Sequence, residues 1–331
     1  MARNWTGKDV LETARAFQPA CVLAAGAELG IFDALAETPL TSGDLAARVR
    51  GDPRATAMLA DALTAMGLLT KQGERYAAAP GIRDCLTERG ALNVLAMVRH
   101  LANCLRSWAQ LAGVVRSGLR ADRAPSVRGK EADLEAFIEA MNDVSRSQAP
   151  GLVKALGPLR FRHLLDVGGG PGTWTIEFLR AFPGTRATLF DLPEVIPIAR
   201  RHIAAAGLED RVTLAPGDLE ADGPLPSGAD LAWVSAIVHM NSREENRRLF
   251  AKVHAALKEG GRILIRDVVM EEDRVNPAEG AMFAVNMLVN TPAGGTFTFE
   301  ELKEDLLAAG FRGPRFLLKG SSMDSVVEAV K

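Results

Sequence analysis

The stretch that decides the fold is Leu164-Leu165-Asp166-Val167-Gly168-Gly169-Gly170-Pro171-Gly172-Thr173. It begins as an apolar run of the length of a buried strand, becomes rich in glycine and leads into an amphipathic segment. Glycines after a strand let the backbone approach a ligand closely, and the amino end of the next helix adds a partial positive charge. The stretch therefore predicts a ligand-binding turn between the first strand and first helix of an α/β domain.

The glycine spacing in this turn narrows the class of ligand. A dinucleotide fingerprint requires glycine at its first, third and sixth positions, but the sixth position here is Thr173. A phosphate-binding P-loop ends in Gly-Lys-Ser/Thr, and this segment has no lysine. Asp166 would disfavour a pyrophosphate but suits a cationic amino group. The pattern therefore favours the methionyl amine of S-adenosylmethionine, with Asp166, Gly168 and Gly170 as cofactor-binding residues.

Two further acids follow the next two apolar runs. Asp191-Leu192 ends the second run, where a carboxylate can accept both ribose hydroxyls, and Asp218-Leu219 follows the third run, where an acid can meet the adenine amino group. The carboxyl ends of parallel strands share one edge of a sheet, so we expect the three acids to form a line there. This line predicts that Asp191, Leu192, Asp218 and Leu219 complete the cofactor site.

The chain beyond Phe161 alternates between short apolar runs and longer amphipathic segments, which predicts a parallel sheet covered by helices on both faces. The apolar runs are His163–Val167, Ala187–Phe190, Val212–Ala215, Leu231–Val234 and Arg262–Ile265. The amphipathic segments include Trp174–Phe182, Val195–Ala206 and Arg243–Leu257.

The first 90 residues have a different organisation. Helical periodicity over Ala16–Leu29, a capped helix after Thr41 and a third helix opening at Asp52-Pro53 precede two brief strands within 68–76. Three helices and a hairpin are typical of a winged helix. We therefore divide the chain into a winged-helix domain (1–90), a helical connector that lines a substrate pocket (91–150, with a loop over 117–130) and an α/β domain (151–331).

Composition excludes several function classes. The 331 residues carry a formal net charge of −2, so no overall positive field attracts nucleic acid or anionic lipid. Three cysteines form no C-x-x-C pair, and no His/Cys cluster has metal-ligand spacing. No signal peptide or membrane-spanning run is evident. We expect a cytoplasmic protein without a metal, a membrane anchor or a nucleic-acid partner.

Taken together, these motifs resemble the plant-type small-molecule O-methyltransferases of the caffeate and hydroxyindole kind, in their bacterial branch. The resemblance covers nearly the whole chain, and it rests on the winged-helix region and five motifs. These motifs are Leu165–Gly172, Phe190–Pro193, Gly217–Leu219, Ile237–His239 and Ala256–Gly261.

This resemblance implies a fold, an assembly and a chemistry. The expected fold is a Rossmann-like methyltransferase domain, with a parallel sheet and one antiparallel edge strand, plus an N-terminal winged-helix dimerisation domain. The expected assembly is a homodimer. The expected reaction is metal-independent methyl transfer from S-adenosylmethionine to a small, aromatic, hydroxyl-bearing acceptor.

His239 is where the family carries its catalytic histidine, and an imidazole suits removal of a hydroxyl proton near neutral pH. The family's first histidine-orienting carboxylate falls on Asp267, which is one methylene shorter than the usual glutamate. Its second falls on Thr296, which has no carboxylate. Met240 and Asn241 stand where an acid usually follows the histidine, and Ser235 stands where a basic residue is common.

The acceptor pocket implied by the resemblance lies between the helix ending near Met141-Asn142 and the segment Met282–Asn290, which includes Phe283. Three methionines, a phenylalanine and interspersed asparagines suit a flat aromatic molecule that needs a few polar contacts. The predicted substrate residues are Met141, Asn142, Met282, Asn286, Met287 and Asn290.

Several alternatives remain open at this point. The altered residues around His239 also fit a C- or N-methyltransferase, or an atypical member that does not methylate. A winged-helix DNA-binding regulator is disfavoured, because three arginines in 41–61 are balanced by three aspartates. A nicotinamide oxidoreductase is disfavoured by Thr173.

Overall fold

The structure, a computed structural model, describes residues 4–331 and divides the chain into two units. The first unit runs to Arg106 and includes Arg123–Asp143, and the second comprises Ser107–Asp122 and Val144–Lys331. The segment 91–150, expected to act as a connector, is thus shared between the units.

The first unit contains the predicted helices and hairpin. The Thr41 hydroxyl accepts the backbone N–H of Asp44, and the Asp52 carboxylate accepts that of Ala55, so both helices begin where the capping residues predict. A two-residue strand that the sequence did not predict pairs with the hairpin in the order β1-β3-β2. The elements are α1 (Gly7–Arg15), α2 (Phe17–Glu28), α3 (Ile31–Ala34), β1 (Leu40–Thr41), α4 (Ser42–Val49), α5 (Pro53–Ala65), β2 (Leu69–Gln72), β3 (Arg75–Ala78) and α6 (Ile82–Leu86).

Three helices follow. They are α7 (Leu95–Trp108), α8 (Leu111–Ser117) and α9 (Lys130–Ala155), so the predicted loop over 117–130 is confirmed.

The second unit is the α/β domain. Each predicted apolar run forms a strand and each amphipathic segment forms a helix. The elements are β4 (His163–Val167), α10 (Thr173–Ala181), β5 (Arg186–Asp191), α11 (Ile196–Ala205), β6 (Val212–Pro216), β7 (Ala229–Ser235), α12 (Arg243–Ala256), β8 (Leu257–Asp267), β9 (Val269–Met270), α13 (Ala278–Asn290), β10 (Phe297–Thr298), α14 (Phe299–Ala308), β11 (Arg312–Leu318) and β12 (Ser325–Val330), with 3-10 turns at Glu209–Arg211 and Val238–Met240.

The large sheet has seven strands in the order β11-β12-β8-β7-β4-β5-β6. Strands β4 to β8 are mutually parallel, and β12 runs against them. The prediction of one antiparallel strand is confirmed, but its position at the edge is wrong. Because β11 pairs antiparallel with the outer side of β12, β12 lies one strand inside the edge.

Strand β4 is the switch point of this sheet. The chain moves outward from β4 to β5 and β6, then returns to β7 on the other side of β4. In open α/β sheets a crevice forms outside the carboxyl ends of the strands at such a point, and ligands bind there. The glycine-rich turn after β4 therefore lies at the expected binding edge.

Within residues 4–331, no helix has the length and apolar character needed to cross a membrane.

Candidate active site

The glycine-rich turn holds its shape through backbone geometry and through β5. Gly168 and Gly170 have φ of +69° and +54°, a region that favours glycine. The N–H of Gly168 donates to the Phe190 carbonyl at 2.8 Å. A Cβ on Gly168 would lie 2.5 Å from the side chain of Ile237, so this close approach also requires glycine.

Asp166 lies beneath the turn with 1% of its surface exposed. Its carboxylate accepts the Thr175 hydroxyl at 2.6 Å. Burial raises the pKa of Asp166 to about 7, the hydrogen bond from Thr175 opposes this rise, and the charge of Asp191 adds to it. A cation bound nearby would favour the ionised carboxylate, so Asp166 fits the amino group of the predicted cofactor.

Asp191, at the end of β5, connects its strand to the glycine turn. One carboxylate oxygen accepts the Gly170 N–H at 2.6 Å, and the other accepts the Leu192 N–H at 2.7 Å. Burial raises its pKa, although both hydrogen bonds oppose that effect. Each carboxylate oxygen can accept a second hydrogen bond, so the capacity to bind ribose hydroxyls remains.

Asp218 and Leu219 follow β6. Asp218 is exposed, and its carboxylate accepts the Glu220 N–H at 2.8 Å. Leu219 is partly buried, and its side chain lies close to Gly168. The three acids thus lie at or just beyond the carboxyl ends of three adjacent strands, β4, β5 and β6, as expected from the sequence.

His239 lies in the 3-10 turn after β7, and it is 7% exposed. Its Nδ1 lies 2.9 Å from both carboxylate oxygens of Asp267, the last residue of β8. The Val268 N–H also donates to Asp267, at 2.8 Å. Among the described residues, Asp267 is the one hydrogen-bonding partner of the imidazole, and it engages Nδ1.

Two groups that the sequence did not predict hold the turn around His239. The buried Asn246 side chain donates to the Val238 carbonyl at 2.9 Å, and the N–H of Gly295 donates to the His239 carbonyl at 2.9 Å. A Cβ on Gly294 would lie 2.4 Å from that carbonyl oxygen. The histidine is therefore fixed from both the helix that follows it and the loop after α13.

Comparisons with known proteins identify the family of this chain. An O-methyltransferase domain model matches residues 108–312, and an O-methyltransferase dimerisation domain model matches residues 11–88. The chain belongs to the O-methyltransferase family. It is therefore an S-adenosylmethionine-dependent methyltransferase, and the regulator and oxidoreductase alternatives are not supported.

Three similar proteins illustrate the family. The tetracenomycin polyketide synthesis 8-O-methyltransferase TcmO of Streptomyces glaucescens is 34% identical, over 93% of this chain and 92% of the relative. The 3-hydroxy-5-methyl-1-naphthoate 3-O-methyltransferase of Streptomyces sahachiroi is 32% identical, over 93% and 91%. The crystal structure of human N-acetylserotonin methyltransferase in complex with S-adenosylmethionine has a TM-score of 0.81 at 29% identity, covering 100% of this chain and 99% of that one.

In this O-methyltransferase, helix α13 places an aromatic ring against the histidine. The rings of Phe283 and His239 meet edge to face, with centroids 4.8 Å apart. Asn286 lies one turn further along α13, on the same side as Phe283. Phe283 belonged to the segment predicted to line the acceptor pocket, but its contact with His239 had no sequence signal.

Asn286 has a fixed amide orientation. The indole N–H of Trp108 can only donate, and it points at Oδ1 of Asn286 at 2.8 Å. Asn290 donates to the same oxygen at 3.0 Å. The NH2 group of Asn286 is thereby left as the group available to donate to another molecule.

The other predicted substrate residues lie in different surroundings. On α13, Met282 is 60% exposed and Met287 is buried. Met141 and Asn142 lie on α9, in the part that belongs to the first unit. Thr296, at the position of the family's second carboxylate, is buried, and its carbonyl accepts a hydrogen bond from Arg274.

Proposed function

We propose that His239 is the general base of the methyl transfer, removing a proton from a hydroxyl group of the acceptor. The observation that supports this role is the pairing of Nδ1 with Asp267. A carboxylate can only accept here, so Nδ1 carries the proton and Nε2 carries the lone pair.

When bound, S-adenosylmethionine supplies an electrophilic methyl group on sulfur and leaves as S-adenosylhomocysteine. His239 takes the hydroxyl proton at Nε2 while the acceptor oxygen becomes nucleophilic. Asp267 stabilises the resulting imidazolium through the Nδ1 hydrogen bond and keeps the ring oriented. Asn246 and Gly295 hold the turn, so little reorganisation of the base is needed.

The cofactor residues are part of the same proposal. We assign the methionyl amine to Asp166, the ribose hydroxyls to Asp191 and the adenine end to Asp218, with Gly168, Gly170, Leu192 and Leu219 forming the surrounding surface. The raised pKa of Asp166 supports this assignment, because a buried carboxylate without a cation nearby gains from one.

We propose that the acceptor is a small aromatic molecule bearing a hydroxyl group. The names of the two Streptomyces relatives support this class, since one acts in polyketide synthesis and the other on a naphthoate. Phe283 offers an aromatic face beside His239, and Asn286 offers a directed N–H donor. Met282, Met287 and Asn290, which lie on the same helix as Phe283 and Asn286, remain proposed lining residues.

We also propose a homodimer formed through the first unit. The dimerisation-domain match supports it. Several large apolar side chains of this unit are exposed, among them Phe17 at 57% and Met58 at 60%, and burial of such a surface favours association. Light scattering of the full chain at micromolar concentration should give twice the monomer mass, and a monomer mass would overturn this.

The experiment that tests the reaction is a mass-spectrometric screen with S-adenosylmethionine carrying a deuterated methyl group. Hydroxynaphthoates and hydroxyanthraquinones should gain the labelled methyl on oxygen, and His239→Gln should lose the activity while still binding S-adenosylhomocysteine. The matched control is His254→Gln, a histidine on α12 that packs on Phe311 and should be dispensable. Equal turnover in both variants would remove His239 from the mechanism.

A further inference from the structure

A buried guanidinium on β8 lacks an acidic partner. Arg266 is 2% exposed, and its two Nη groups donate to neutral oxygens, that of Ser235 at 3.2 Å and that of Gln148 at 3.4 Å. Its Nε has no hydrogen-bonding partner. Within residues 4–331, no carboxylate oxygen forms an ion pair with it.

This guanidinium is charged at neutral pH. Burial lowers the pKa of Arg266 to about 10, while the charges of Asp267 and Asp324 oppose that shift. A buried cation without a counter-ion costs several kcal/mol of stability, so proteins rarely keep one without use. The expected partner is an anion that is not part of the chain.

The register of the sheet places Arg266 on the same face as Asp166. Arg266 pairs with Ser235 of β7, and Asp166 of β4 pairs with Trp233 of β7. Side chains two residues apart on a strand share a face, so Trp233 and Ser235 point to the same side of β7. Their partners on the neighbouring strands, Asp166 and Arg266, point to that side as well. Both charged groups therefore lie near the carboxyl ends of their strands, below α10.

The first turn of α10 contacts both charges. The guanidinium stacks on the Trp174 ring at 4.6 Å, and the next residue, Thr175, donates to the Asp166 carboxylate. A buried acid and a buried base thus flank the helix that follows the glycine turn. This is the charge pattern that a zwitterionic amino-acid group requires.

We infer that Arg266 binds the α-carboxylate of the methionyl group of S-adenosylmethionine, while Asp166 faces its amine. The inference rests on the cofactor placement proposed above. The free Nε, with one Nη, can form the planar two-point contact that guanidinium makes with carboxylates. Ser235 and Gln148 position the guanidinium, and Trp174 supports its flat face.

The test uses calorimetry with two ligands that differ by one carboxylate. S-adenosylhomocysteine has both the amine and the carboxylate, whereas its decarboxylated analogue, S-adenosyl-3-thiopropylamine, keeps only the amine. The parental protein should prefer S-adenosylhomocysteine by about 10- to 100-fold, the range for charge-assisted hydrogen bonds. Arg266→Met should remove most of this preference and leave the affinity for the analogue unchanged.

The matched control is Arg262→Met, on the same strand but paired with Glu328. It should leave the preference intact. Arg266→Met should keep or raise the melting temperature of the ligand-free protein, because it removes a buried unpaired charge. A preserved preference in Arg266→Met, or an equal loss of affinity for both ligands, would overturn the inference. Parental protein that binds neither ligand would overturn the cofactor placement itself.

Discussion

Replacing Asp267 by asparagine should lower turnover, but less severely than removing the histidine. The Val268 N–H can only donate, so the oxygen of the new amide must stay where Oδ1 receives it, at 2.8 Å. The NH2 group then takes the place of Oδ2, which lies 2.9 Å from Nδ1 of His239. The amide oxygen also lies 2.9 Å from Nδ1 and can still accept its proton, whereas the NH2 group favours the tautomer in which Nδ1 accepts. Part of the enzyme therefore keeps the lone pair on Nε2, but the imidazolium loses the negative charge that stabilises it.

The size of the effect follows from the loss of a general base. Such a loss lowers turnover by about 10²- to 10⁴-fold, or about 2.7–5.4 kcal/mol at 1.36 kcal/mol per factor of ten. We expect His239→Gln to fall within this range and Asp267→Asn to lose less, with affinity for S-adenosylhomocysteine unchanged in both variants. Asp267→Ala should be less active than Asp267→Asn, because alanine presents no acceptor to Nδ1.

The assay is single-turnover methyl transfer against pH for the parent and the three variants, with ¹⁵N NMR of the imidazole to identify the tautomer. Equal losses in Asp267→Asn and His239→Gln would refute this ranking and the orienting role of Asp267. Nε2 protonation in the parental protein would refute it as well.

Three further predictions concern the cofactor and acceptor sites. Asp191→Ala should weaken S-adenosylhomocysteine by about 1.5–3 kcal/mol in calorimetry, and unchanged affinity would exclude this residue from the ribose site. The pKa of Asp166 is about 7 in the folded protein, against an ordinary value of 3.8. As pH rises between these values, Asp166 ionises in the unfolded chain but stays protonated in the folded one. The free energy of unfolding of the cofactor-free parent therefore falls, by as much as about 4 kcal/mol. In urea unfolding, the stability of Asp166→Asn relative to the parent should therefore increase from pH 5 to pH 8. A difference in stability that does not change with pH would contradict this. Asn286→Asp keeps the oxygen that accepts the Trp108 N–H but replaces the free NH2 donor with an oxygen. KM should therefore rise for substrates with a carbonyl near the hydroxyl and stay constant for substrates without one. Equal changes in KM for both kinds of substrate would contradict the assigned amide orientation.

Much of the α/β domain could be predicted because its signals are local. The apolar runs match β4 to β8 within a few residues, and the glycine turn lies where β4 ends. Asp166, Asp191 and Asp218 could be placed on one edge because parallel strands carry their carboxyl ends together. His239 and Asp267 could be paired because they follow neighbouring strands.

The remaining features depend on contacts between distant segments. Asn246 supports Val238 through a bond that no spacing rule encodes, and Phe283 reaches His239 from a helix more than 40 residues later. Arg266 directly follows the apolar run Arg262–Ile265, and only the packing shows that its guanidinium is buried without an acidic partner. The inner position of β12 likewise depends on which strand β11 pairs with.

The loop that captures the His239 carbonyl begins where α13 ends. Thr291 caps that helix through the Met287 carbonyl, and Gly295 of the same loop donates to His239. A substitution on α13 that widens or narrows the range of acceptors will therefore also displace the base. In directed evolution of this enzyme, acceptor scope and rate would change together, and variants with new scope would need a compensating change in 291–296 to recover speed.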